Sequence, residues 1–115
     1  MLRPLFMAMA LTSAGFAGAA HAADLNDYPT DARADFVFGC MKANGDTHDA
    51  LERCSCAIDV IASILPYKAY EKGETVASLD LDHGQIGRMM HASTISKLAL
   101  DRLYRARAEA EVRCF

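Results

Sequence analysis

The chain has 115 residues, a formal net charge of −3 and hydrophobic residues at 52% of its positions. That acidic balance lacks the basic footprint a nucleic-acid-binding domain carries, and the length allows one domain with a small core. Tryptophan is absent and cysteine occurs four times, so staples rather than bulk are expected to hold the fold.

Residues 1–22 read as an export signal. Arg3 gives a positive start, Leu5 to Ala20 is uncharged and apolar, and Ala20-His21-Ala22 is a small-x-small cleavage site. The run is too short and too rich in alanine and glycine for a membrane span. A single helical, disulfide-bonded domain is expected over 23–115, periplasmic or secreted, with no membrane insertion after cleavage. Four cysteines in an oxidising compartment are an even set and predict two disulfides.

Residues 24–29 read as an irregular lead-in. Thr30 or Asp31 is placed to cap a first helix, with Asp31 and Asp35 near its positive end. Phe36, Cys40 and Ala43 share one face, and Gly39 beside Cys40 offers a close approach for a neighbouring helix. Asn44-Gly45 is a helix stop. Asp46 or Thr47 then caps a helix running to Leu65, in which Leu51, Cys54, Ile58, Ile61 and Leu65 repeat at three- and four-residue steps. Pro66 opens a third helix to Leu79; Gly73 inside it costs about 1 kcal/mol relative to alanine. Residues 79–84 read as a loop, residues 85–92 as one or two helical turns. Ser93 or Thr94 caps the last helix, whose stripe Ile95, Ala99, Leu103, Ala106, Ala110 and Cys114 ends on a cysteine. No useful length alternates as a strand does. The fold class is therefore all-α, a small four- to five-helix domain stapled by two disulfides.

Cys54 and Cys56 lie on one helix about 200° apart, so they bond elsewhere and not to each other. The first two helices form an antiparallel hairpin, which brings Cys40 to the early turns of the second. Cys54 is nearer than Cys56, which favours Cys40–Cys54 with Cys56–Cys114. A shifted hairpin register gives Cys40–Cys56 with Cys54–Cys114 instead. Chain entropy assigns about 3 kcal/mol to the shorter loop of the favoured pairing and about 4 to the longer.

Several groups invite a chemical reading. Reduced, Cys54 and Cys56 are a soft chelate for copper or zinc, with Met89, Met90 and His91 as further soft ligands; oxidised, they are structural. Haem attachment and thioredoxin-like chemistry need a Cys-x-x-Cys that this chain lacks. Asp80, Asp82 and His83 fall short of a calcium ligand set. Tyr67, Tyr70 and Glu74 line a pocket or pack on the core with Glu74 bonding a tyrosine. Arg102, Arg105, Arg107 and Arg113 read as the solvated side of the last helix, with Glu109 and Arg113 spaced for an ion pair. No catalytic residue and no cofactor is expected.

The segments FVFGCMKANGD, RCSCAIDVIASILPY and AEAEVRCF together resemble a group of small four-cysteine periplasmic proteins of proteobacteria that accompany quinoprotein alcohol dehydrogenases and c-type cytochromes. The resemblance covers most of residues 23–115. It implies location, helical architecture and the four-cysteine frame, and carries no catalytic residues. A looser likeness is to immunity proteins of the Rap and Tai type, from which the adjacent Cys-Ser-Cys and the final Arg-Cys-Phe depart. The function expected is that of a non-catalytic periplasmic accessory protein binding a protein partner, with a quinoprotein alcohol-oxidation or electron-transfer system as the candidate partner system. The alternatives are the soft-metal carrier and an immunity or inhibitor protein.

Overall fold

The computed structural model describes residues 27–80 and 84–115. The expected export signal lies outside the described residues, as do residues 81–83 of the expected loop, Asp82 and His83 among them, and the side chains of Asp80, Met90 and His91. The described residues form five helices and no strand: α1 (Thr30–Asn44), α2 (His48–Ile64), α3 (Tyr67–Asp80), α4 (Gln85–Ala92) and α5 (Thr94–Cys114). α5 packs along both α2 and α3, α1 lies on α2, and α4 leans mainly on α3.

The helix boundaries follow local chemistry. Gly45 ends α1 at a φ of 108°, a conformation open to glycine, and its amide donates to the Met41 carbonyl. Thr47 caps α2, its hydroxyl accepting from the Ala50 amide at 3.1 Å. Ser93 caps α5 through the Ser96 amide. The start of α1 differs from expectation. Pro29 occupies the cap position and no side chain caps from it; Asp31 instead accepts from the adjacent Ala32 amide inside the first turn.

The core is the α2–α5 seam closed by α3. Ile61, Leu103 and Cys54 are its largest fully buried side chains, and removing a buried aliphatic side chain of this kind costs about 2 to 5 kcal/mol. Ala57, Ala62, Ala106 and Ala110 are also buried, and such short side chains let helix axes come close. On α5 the buried positions are Ser96, Ala99, Leu103, Ala106 and Ala110. Ile95, expected in that stripe, is 63% exposed because the buried face passes through Ser96, one position on. Leu51, expected in the α2 stripe, is exposed as well. α5 ends opposite Cys56, so the first turns of α2 run past it with α1 as their neighbour.

Gly39 and Gly73 exchange their expected roles. A Cβ on Gly39 would meet nothing within 4 Å, although α2 is the main neighbour of α1. A Cβ on Gly73 would sit 2.8 Å from Leu103 Cβ and 3.2 Å from the Ala99 carbonyl oxygen. Gly73 is the point where α3 meets α5.

Candidate functional site

Both disulfides radiate from α2. Cys40 is joined to Cys54 and Cys56 to Cys114, with Cα atoms 5.8 Å apart in each, within the normal span for the bond. This is the pairing that the hairpin geometry favours. Arg33 meets Asp59 at 2.7 Å toward one end of the α1–α2 hairpin and Cys40 meets Cys54 toward the other, as antiparallel helices require. Cys54 is fully buried; Cys56 and Cys114 are half-buried.

Each sulfur of the Cys-Ser-Cys pair is thus taken by a different partner, and the soft chelate requires both bonds to be reduced. Met89 is 66% exposed on α4. Among the described residues no three His, Cys, Asp or Glu side chains gather as a metal site.

Tyr67 and Tyr70 are joined by a third ring that the periodicity of the sequence does not mark. Tyr28, in the lead-in, is buried, and its ring centroid lies 5.1 Å from those of both Tyr67 and Tyr70. Its hydroxyl donates to the Leu65 carbonyl at 2.7 Å, and its neighbour Asp27 accepts from the Tyr67 amide at 2.8 Å. A carbonyl at the end of α2 and an amide at the start of α3 are both orphans of helix termination. The lead-in satisfies both and so fixes the corner at Pro66. Burial pushes the hydroxyls of Tyr28 and Tyr70 well above the ordinary tyrosine range, and the carboxylates of Asp27 and Glu74 respectively add to the rise. These are neutral phenols held for packing.

The Glu74 carboxylate, whose charge adds to the rise at Tyr70, pairs with Arg107 across the α3–α5 interface. Arg107, expected among the solvated arginines, is turned inward and half-buried because Glu74 stands opposite it. Arg105 and Arg113 behave as expected, pairing along α5 with Asp101 and Glu109. Exposed pairs of this type contribute a few tenths of a kcal/mol.

A polar concave region lies between α1 and α3, and two with apolar walls also flank α1. One, about 450 Å³, is lined by Val37, Phe38 and Met41 of α1 with Ser55 and Ile58 of α2. Phe38 is 63% exposed there, and the Lys42 ammonium stands 4.4 Å from its ring centroid. The other, about 390 Å³, opens on a different face of α1, against Tyr70, Arg107 and Phe115. None of the residues of α1 is fully buried, although the helix carries Phe36, Val37, Phe38 and Met41.

Comparison with protein-family models, with curated proteins and with solved structures finds no match to this chain. The class of protein that its own geometry defines is an all-helical domain clamped by two disulfides. Among the described residues no helix is long and apolar enough to cross a membrane.

Proposed function

We propose that this is a non-catalytic accessory protein of the periplasm that docks on a protein partner through the outer face of the α1–α2 hairpin. The observation that carries the reading is α1 itself, a fifteen-residue helix whose large apolar side chains all keep contact with solvent. Val37, Phe38 and Met41 form an apolar centre, and Arg33, Asp59 and Lys42 form a charged rim. An apolar centre with a polar rim is the layout of a protein interface, and an exposed aromatic is the usual energetic anchor. The Cys40–Cys54 bond holds α1 to α2 from beneath, which lowers the ordering cost of binding.

The export signal read from residues 1–22 and the two disulfides support a periplasmic location. The resemblance of the cysteine segments makes an alcohol-oxidising or electron-transfer system the first partner to try. The test is cross-linked capture from periplasm, using the native protein and a Phe38→Glu, Met41→Glu variant in parallel. One partner recovered by the native protein and lost with the variant supports the proposal. Equal recovery by both refutes the face, and a turnover abolished by a single side-chain change refutes the non-catalytic reading.

A further inference from the structure

The second cleft beside α1 has a composition that selects its ligand. Its volume of about 390 Å³ falls in the range of small-molecule sites. Ala57, Ile61 and Ala110 line its interior, and Gly39 leaves one wall open. Three aromatic rings line it: Phe36 of α1, Tyr70 of α3 and Phe115 at the end of α5. Its charged groups are three carboxylates, Asp35, Glu74 and Glu111, against one guanidinium, Arg107. Glu74 is bonded to Arg107 and cancels it. Asp35 and Glu111 take part in none of the ion pairs formed among the described residues.

These features exclude ligands in turn. A carboxylate or phosphate meets net repulsion from the two unpaired carboxylates. A hydrated metal ion gains little from aromatic walls, and no three-ligand cluster exists among the described residues. A neutral apolar molecule leaves the charge unused. Aromatic ring faces attract a cation, most strongly one that sheds water easily, and the carboxylates add to that attraction. We infer that this cleft binds a small organic ammonium ion, quaternary or tertiary, as a free molecule. A lysine side chain is the poorer fit, since its compact ammonium is strongly hydrated and needs acceptors for three donors. The cleft shares no lining residue with the docking face, so this inference stands or falls independently of the proposed function.

The probe is choline, titrated into the disulfide-intact protein and followed by backbone amide NMR. Neopentylcarbinol, the uncharged isostere in which carbon replaces nitrogen, is titrated alongside. Saturable shifts at Gly39, Ala57 and Ala110 are expected with choline, and binding about tenfold weaker with the isostere, a difference of about 1.4 kcal/mol. Both free carboxylates are exposed, so an Asp35→Asn, Glu111→Gln variant is expected to fold as the native protein does and to weaken choline about tenfold without affecting the isostere. A Phe115→Ala variant, which keeps every charge, is also expected to weaken choline. Absence of saturable shifts, equal binding of the isostere, or unchanged choline binding by the charge variant overturns the inference. Tighter binding of Nα-acetyl-lysinamide than of choline overturns the choice of a free small molecule.

Discussion

Replacing Gly73 by alanine sets two effects of known size against each other. A glycine inside a helix is worth about 1 kcal/mol less than alanine, so the change gains that much if the site has room. It does not. The new Cβ lies 2.8 Å from Leu103 Cβ and 3.2 Å from the Ala99 carbonyl oxygen. Neither is the far end of a flexible side chain, so α3 and α5 must separate along a seam that also holds fully buried Leu103. Overpacking of this kind costs about 1 to 3 kcal/mol, and the separation also loosens the packing around it. The net expectation is a loss of up to about 2 kcal/mol, which for a domain of this size lowers Tm by up to roughly 16 °C. Gly39→Ala is the control. It has the same chemistry in an exposed helical site with nothing within 4 Å, and is expected to gain up to about 1 kcal/mol. Urea unfolding of the oxidised proteins, followed by circular dichroism, gives both signs. A Gly73→Ala protein stabilised as much as Gly39→Ala refutes the close contact of α3 and α5.

Removing the Cys56–Cys114 bond by Cys56→Ser with Cys114→Ser frees a link between residues 58 apart in sequence and is expected to cost about 4 kcal/mol. That is a large part of the roughly 5 to 10 kcal/mol that a domain of this size has, and thermal melts measure it directly. Asp27→Ala removes the acceptor of the Tyr67 amide, and a cap of that kind is worth about 1 kcal/mol; amide hydrogen exchange is expected to speed up first at the start of α3. Tyr28 and Tyr70 are held above the ordinary value of 10.0, so above that pH the unfolded chain loses protons that the fold keeps. Stability is thus unaffected by these groups below about pH 10 and falls above it, by up to about 1.4 kcal/mol per pH unit for each tyrosine. Tyr28→Phe is expected to flatten that alkaline decline in a series of melts.

The helices were legible because their information is local. Thr47, Gly45 and Ser93 announce the caps, and Ala99, Leu103, Ala106 and Ala110 repeat at helical spacing. The disulfide pairing was legible for a related reason: two cysteines on opposite sides of one helix, with a short hairpin before it, leave few solutions. What escaped depends on which helix lies opposite. Leu51 has helical periodicity but no α5 beside it, and Ile95 sits one position off the buried face. Gly39 and Gly73 look alike in sequence, and only the α3–α5 contact separates them. Tyr28 precedes Pro29 in a stretch without periodicity, so nothing local marks it as a core residue that ties the α2–α3 corner. Arg107 resembles its neighbours on α5 until Glu74 is placed opposite it. The α1 flanks were foreshadowed only by the apolar run Phe36, Val37 and Phe38, which exceeds what one helix face needs.

All four cysteine sulfurs of the scaffold are engaged in internal links. A free-thiol count on protein from its native compartment, unfolded in denaturant without reductant, tests this most directly. No reactive thiol is expected before reduction and four are expected after it. Two or more thiols before reduction, with copper or zinc co-purifying, would contradict the scaffold and point to a metal carrier.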